Sequence, residues 1–347
     1  MTRAPSGMNF ASDNITGAAP EIMARLVAEN AGDCLPYGAD AYTKRVGATF
    51  NDVFETDVGI MLVSTGTAAN ALALASACPP YGAIFCRRES HIELEEGGSV
   101  EHLSGGAKLV PLEGADGKLD AMTLDAAIGA YSPAAYFYRP AAVSITQATE
   151  FGTVYSVAEI KAIAEVVHRH GLKLHVDGAR WANTLVSLGC SAAEMSWKAS
   201  VDVLSFGATK NGAIAAEAVV FFDQGLMAGA AERRKRGGML WSKHRFLAIQ
   251  WETYLADDLW LRLARTANAR AKVLESELAK LPSAELIHPV QANEVFVRLP
   301  ESVLQALEAE GFQFYDYGGG VIRLVASFAT AEMDVLSFLA AVRRHSK

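Results

Sequence analysis

The chain has 347 residues, 51% of them hydrophobic and 20% charged, enough for one large core and a smaller second one. A formal net charge of −8 argues against a nucleic-acid surface, and no run approaches the ~20 apolar residues needed to span a bilayer. Four cysteines (Cys34, Cys78, Cys86, Cys190) without a CxxC pair, and eight histidines without HExxH, argue against a disulfide framework or a zinc site.

Residues 1–7 lack the apolar core of a signal peptide, so a reducing, cytoplasmic setting is expected. Pro20 opens a helix to about Asn30, at a first-turn position where its missing donor costs nothing. A second helix is expected from about Asp40 to Phe54. Ile60 to Val63 reads as a buried strand, Ser64 to Thr67 as a small polar turn, and Ala68 to Ala77 as a helix. The alternation continues with strands at Ala83–Cys86 and Lys108–Leu112, a helix within Leu119–Tyr131, and a strand from Ala141 to Thr146. Ser156 and Glu159 form a capping-box pattern for a helix ending near Gly171. Leu172–Val176 is a strand, a second capping box follows at Ser191 and Glu194, and strands are expected at Val201–Phe206 and Ala218–Phe222. After Gly238 the chain reads as helical to about Lys280. A shorter β, β, α, β, β, α pattern then runs from Glu285 to Arg343.

Strands separated by helices predict βαβ units and a mostly parallel, doubly wound α/β sheet, with a small C-terminal α+β domain. The division is placed at 1–255 and 256–347. In such sheets ligands sit at the carboxyl ends of the strands, and Thr67, His91, Thr149, Asp177 and Lys210 all fall just after apolar strand runs. Lys210 closes the stretch Ser205-Phe-Gly-Ala-Thr-Lys. A lysine shielded from water becomes a nucleophilic amine, as Schiff-base formation with a carbonyl requires. One helix plus one strand separates it from Asp177, which suits neighbouring strands. Asp177 is open to two readings, a partner for a pyridine nitrogen or a helix N-cap. His91 could stack on a flat ring, move protons or simply be hydrogen-bonded. The turn before Ala68 suits an anion at a helix N-terminus, or is a plain strand-to-helix turn. Arg323, inside Val-Ile-Arg-Leu-Val, is either on a solvent-facing edge or a clamp for a carboxylate. The basic run 233–236 is a solvated helix face or a phosphate site.

Together Ser12-Asp13, Tyr37-Gly-Ala-Asp40, Gly66-Thr-Ala-Ala-Asn70, Ser90-His91, Thr146-Gln-Ala-Thr-Glu150, His175-Val-Asp-Gly-Ala-Arg180, Ser205 to Gly212 and Arg323 resemble the low-specificity L-threonine aldolases and phenylserine aldolases. These are pyridoxal-phosphate enzymes of fold type I, and the resemblance covers nearly the whole chain. It implies that Lys210 carries the cofactor, that Asp177 faces the pyridine nitrogen, and that His91 lies on the ring. Gly66, Thr67, Ala68 and Thr209 would complete the cofactor site. Ser12, Tyr37, Arg180 and Arg323 would place the substrate carboxylate, with Arg180 also near the cofactor's phenolic oxygen. It further implies retro-aldol cleavage of threonine, allo-threonine or phenylserine to glycine and an aldehyde, in a homotetramer or homodimer with shared active sites. Some relatives carry a histidine in the loop matching Gln147 to Glu150; this chain has none there, which leaves His91, or a water it holds, as the base. The alternatives are a β-eliminating lyase or an aminotransferase on the same scaffold, or a non-catalytic protein that keeps the fold.

Overall fold

A computed structural model describes residues 8–131 and 137–346; the opening residues 1–7, read above for a signal peptide, lie outside the described residues. Seven strands, β1 (Gly59–Val63), β2 (Gly82–Arg87), β3 (Lys108–Leu112), β4 (Arg139–Thr146), β5 (Lys173–Gly178), β6 (Val203–Gly207) and β7 (Glu217–Phe221), form one sheet in the order β1-β7-β6-β5-β4-β2-β3. The pairs β2–β3, β2–β4, β4–β5 and β5–β6 are parallel, and every residue of β2, β6 and β7 is buried. That is the burial of a sheet covered by helices on both faces.

β7 departs from the parallel pattern and runs antiparallel to both β6 and β1. A parallel return needs a crossover of about a dozen residues or more. Residues 208–216 supply only one turn of 3-10 helix at Thr209–Asn211 and a short loop, so the chain doubles back. Two reversals restore the direction of β1. Its exit therefore opens on the same sheet edge as those of β2, β4, β5 and β6.

The capping patterns set the helix starts. The Asp40 carboxylate accepts from Thr43 N–H before the helix Ala41–Phe54, and reciprocal Ser156–Glu159 and Ser191–Glu194 boxes open two more. The stretch read as helical from Gly238 to about Lys280 holds two helices, Arg245–Leu255 and Leu259–Leu278. The break falls at Asp257 and Asp258, both left-handed at φ 51° and 53°, a conformation that aspartate tolerates better than most residues.

The second sheet is wholly antiparallel: β8 (Glu285–Leu286), β9 (Glu294–Arg298), β10 (Tyr315–Asp316) and β11 (Val321–Val325), in the order β10-β11-β9-β8. The helix Leu259–Leu278 joins the two bodies. Leu259 and Leu263 pack in the large core, and Ala271, Leu274 and Leu278 in the small one. The N-terminal segment docks on the small sheet. Phe10 N–H donates to the Gln313 carbonyl, Val325 N–H donates to the Phe10 carbonyl, and the Phe10 ring lies 5.4 Å from that of Phe338. This docking carries Ser12 and Asp13 over the edge of the large sheet. Among the described residues no helix is long and apolar enough to cross a membrane.

Candidate active site

The exits of β5 and β6 meet because two glycines, Gly178 and Gly207, let them. Asp177 pairs in register with Ser205. A Cβ on Gly207 would lie 2.8 Å from the Ala179 carbonyl and 2.9 Å from Glu217 Oε2. Any larger residue would push the two strand ends apart. Beyond Gly207 the short turn Thr209–Asn211 presents Lys210, half-buried and making no hydrogen bond or ion pair among the described residues. The charge of Lys210 acts on Asp13, His91, Glu217 and Glu294.

Asp177 is buried and fully oriented. Its Oδ1 accepts from Ala179 N–H at 3.0 Å, and its Oδ2 accepts from Asn70 Nδ2 at 2.7 Å. The same Asn70 amide donates to Glu96 Oε1 at 2.8 Å, and that oxygen is 2.8 Å from His91 Nδ1. One amide thus ties the aspartate to the histidine through a buried glutamate. The hydrogen bond to Glu96 raises the His91 pKa, outweighing burial, with Asp177 adding to the effect. With Nδ1 held by a carboxylate, Nε2, 3.5 Å from the exposed Glu95 Oε2, is the ring atom left to exchange a proton. Glu150 anchors the same histidine by its backbone: His91 N–H donates to Glu150 Oε1 at 3.1 Å and Thr146 Oγ1 donates to it at 2.7 Å. Burial pushes the Glu150 carboxyl up to about 7.

The exit of β1 forms an anion cradle. Thr65 Oγ1 caps the helix Gly66–Ala77 by accepting from Ala68 N–H at 3.1 Å. The N–H groups of Gly66 and Thr67 remain open, while that of Ala68, expected to join them, is taken by the cap. A Cβ on Gly66 would meet nothing within 4 Å, so there is room beside the backbone for a phosphate.

Arg180 and Arg323 face a pair of buried acids. Arg180 holds Asp13 in a fork, Nε to Oδ2 at 2.8 Å and Nη2 to Oδ1 at 3.0 Å, and its Nη1 lies 3.3 Å from Glu294 Oε2. Burial alone would raise the Asp13 carboxyl, but the charges of Arg180 and Lys210 bring it below its ordinary value. Asp13 and Glu294 in turn raise Arg180, against burial. Arg323 Nη1 is 3.6 Å from Glu294 Oε1, and its guanidinium lies over the Tyr315 ring at 4.9 Å. Ser12 Oγ accepts from Asn14 N–H at 3.1 Å, next to this cluster.

Other expected residues take different places. Thr209 braces the turn, its N–H donating to Glu217 Oε1 at 3.3 Å and its Oγ1 accepting from Ala216 N–H at 3.1 Å. Thr149 serves its own loop through Thr153 Oγ1 at 2.7 Å. His175 is bound between the Ser144 and Ser205 hydroxyls, both at 2.9 Å, and burial lowers its pKa to about 4. Tyr37 is half exposed, at φ 57°, with Lys235 Nζ 4.6 Å over its ring and its N–H donating to the Ser242 carbonyl. Among the described residues it makes no hydrogen bond or ring contact to Asp13, His91, Asp177 or Lys210.

Asp13, Asn70, Glu96, Glu150, Glu217 and Glu294 belong to the site without having been assigned a role from sequence. A faint signal existed for three, since Asp13, Asn70 and Glu150 lie in motifs already noted, but nothing in spacing tells that these side chains turn inward. Glu217, pushed up to about 7 by burial, also sets a pH dependence. Its raised carboxyl favours folding fully below its ordinary 4.5, and that contribution is lost as pH rises through about 7. The Tm of the cofactor-free protein should therefore fall between pH 5 and 8, and Glu217→Gln should flatten that fall. Parallel melting curves for the two proteins would refute this.

A family model described as beta-eliminating lyase matches residues 9–302. The chain belongs to the beta-eliminating lyase family. Within that family it is 43% identical to a low specificity L-threonine aldolase of Pseudomonas aeruginosa, over 92% of this chain and 93% of that one. It is 41% identical to a low specificity L-threonine aldolase of a Pseudomonas species, over 96% of each. A solved Leishmania major threonine aldolase superposes with a TM-score of 0.92 at 28% identity, covering 98% of this chain and 99% of that one. A methionine aminotransferase of Escherichia coli, at 15% identity and a TM-score of 0.75, shares the fold.

The cofactor of this beta-eliminating lyase family member is pyridoxal phosphate, and the residues fit it. Lys210 is an amine without a partner, Asp177 is clamped with its oxygens as acceptors, His91 offers a flat face, and Gly66 leaves an open cradle with two free N–H groups.

Proposed function

We propose that the chain cleaves L-β-hydroxy-α-amino acids of the threonine type to glycine and an aldehyde. The identities of 43% and 41% over more than nine-tenths of the chain to proteins named low specificity L-threonine aldolase carry this reading. The geometry supports it residue by residue. Pyridoxal phosphate supplies an electrophilic aldehyde and a ring that accepts the electron pair of the broken Cα–Cβ bond. Lys210 offers its unpaired amine to that aldehyde. Asp177, held by Asn70 and Ala179, offers a carboxylate to the pyridine nitrogen. Gly66 and Thr67 give N–H donors to the phosphate, with Ala68 and Thr209 fixing the loops beside it. Arg323, Arg180 and Ser12 set the substrate carboxylate, and His91 Nε2 takes the β-hydroxyl proton while Glu96 holds Nδ1.

An aldehyde-release assay over threonine, allo-threonine and phenylserine tests the reading. Glycine and aldehyde in equal amounts are expected; pyruvate and ammonia, or amino-group transfer without aldehyde, would overturn it. Arg323→Ala should raise KM for threonine by about 10- to 100-fold, the worth of one charge-assisted carboxylate pair. An unchanged KM in steady-state kinetics would remove Arg323 from the substrate.

The same reading includes a homotetramer or homodimer with shared sites, in a reducing cytoplasm. Val27, Leu35, Tyr37 and Ile214 are apolar side chains 50% exposed or more, which supports burial against another copy. Tyr37, whose contacts are to Lys235 and Ser242, would then serve the neighbouring site. The four free cysteines suit a reducing compartment. Light scattering that returns a monomer mass would refute the shared site.

A further inference from the structure

The arginine pair read above as the substrate-carboxylate site already has a carboxylate in it. Glu294, at the start of β9, has a completely buried side chain between Arg180 Nη1 at 3.3 Å and Arg323 Nη1 at 3.6 Å. Both distances allow an ion pair, yet among the described residues neither Glu294 oxygen makes a hydrogen bond, and Arg323 Nε is buried without a partner too. The remaining Arg323 bond, Nη2 to the Ala11 carbonyl, is long at 3.5 Å. Arg180, by contrast, has a two-bond fork to Asp13. The cluster thus has one well-bonded pair, Arg180–Asp13, and one poorly bonded pair, Arg323–Glu294. Buried charged groups left without hydrogen bonds are costly. A guanidinium in that state has more to gain from a planar carboxylate than a satisfied one has. Two guanidinium groups are also already balanced by two carboxylates, Lys210, whose charge reaches both acids, being committed to the cofactor in the holoenzyme. An incoming α-carboxylate adds a third anion unless one of the two gives way. Asp13 is the better held, by Arg180 and by Asn293 Nδ2 at 3.1 Å, so Glu294 is the one that can yield.

We propose that Glu294 is a place-holder for the substrate carboxylate: it occupies Arg323 in the free enzyme and surrenders it, taking up a proton, when an α-carboxylate binds. The inference rests on Arg323 being the carboxylate site. The proton balance is simple, with one proton taken from solvent onto a Glu294 oxygen as the ligand's carboxylate replaces it on Arg323. Burial already raises the Glu294 carboxyl, against the pull of Arg180 and Arg323, and Asp13 raises it further while Lys210 opposes. Tyr317 is the other titratable group that faces it. The role also runs opposite to the ordinary one for a buried acid beside an arginine. A supporting acid, when removed, weakens ligand binding; a competing acid, when removed, strengthens it.

Glycolate, which carries the glycine carboxylate but no amine, separates the two. Its inhibition constant against threonine cleavage would be measured for the holoenzyme and for Glu294→Gln from pH 6 to 9. The wild-type constant should rise with pH relative to the variant's, the ratio growing by about tenfold, the factor given by one unit of coupling between two acids on one cation. Other titrating groups act on both proteins and cancel in the ratio. Weaker glycolate binding by the variant, or a ratio flat with pH, overturns the place-holder. Calorimetry of glycolate binding to the wild-type holoenzyme in two buffers of different ionisation heat needs no variant. Proton uptake within that pH range is expected, and none at any pH refutes it. Arg323→Ala distinguishes the underlying reading. If it leaves glycolate inhibition unchanged, the carboxylate site itself is wrong; if it abolishes inhibition while the Glu294→Gln ratio stays flat, only the place-holder falls.

Discussion

Lys210→Ala is expected to reduce threonine cleavage by ~10³-fold or more, the scale of removing a residue that carries covalent catalysis. It should also abolish covalent retention of pyridoxal phosphate. The structure separates this lysine from others by what it lacks. Lys173 lies near the opposite end of the sheet's strands and is held by Asp202 at 3.1 Å and Asp223 at 2.7 Å. Its ammonium is a structural charge. Lys210 has no such partner among the described residues and sits half-buried on a one-turn helix, where its charge is felt by Asp13, Glu217 and Glu294 without a bond to any of them. A side chain that no carboxylate holds is the one free to reach an aldehyde. Borohydride reduction followed by mass analysis checks the point: the wild type should gain the cofactor's mass on the peptide containing Lys210, and the variant should gain none. Turnover within about tenfold of wild type, or retention of the label on another lysine, would end the assignment of Lys210 as the attachment point.

The features that organise the site were readable from sequence where they depend on local order. Strand β3 (Lys108–Leu112) and strand β11 (Val321–Val325) fall where the apolar runs place them, and the boxes at Ser156 and Ser191 form as the spacing requires. The positions after β1, β2, β5 and β6 converge because parallel strands share a carboxyl edge, so Thr67, His91, Asp177 and Lys210 could be grouped without coordinates. What spacing could not show was which acids turn inward. Asp13 meets Arg180 across 167 positions and Asn293 across 280. Those contacts exist only because the N-terminal segment docks on the small sheet, a tertiary event with no periodic trace. Glu96 is separated from His91 by one turn and looks like another acid in the run Glu93 to Glu96 until Asn70 is seen to reach it. The reversed direction of β7 had a signal that went unused, the loop 208–216 being too short for a helical crossover. The break at Asp257 and Asp258 has none, since aspartate is unremarkable inside a charged helix and only its backbone angles mark the turn.

Asp177→Asn should lower kcat by ~10²–10³-fold, the range found when one preorganised electrostatic group is removed from an active site. The substitution preserves shape and removes charge, which is the property the proposed role needs. A carboxylate can accept at both oxygens, and Asp177 does so, from Ala179 N–H and from Asn70. An amide accepts at one end only, so one of those donors must face an NH₂ group whichever way it turns. That loss alone costs about 1–2 kcal/mol of stability and would be confused with the catalytic effect if kcat were the sole measurement. Asn70→Ala resolves the ambiguity. It deletes the clamp on Oδ2 and the tie to Glu96 while leaving the negative charge beside Ala179 in place. If the charge against the pyridine nitrogen is what matters, Asp177→Asn should cost far more turnover than Asn70→Ala at comparable loss of Tm. If the two variants lose kcat equally, Asp177 acts only as a scaffold for the Asn70–Glu96–His91 chain, and the electron-sink role assigned to its carboxylate is wrong.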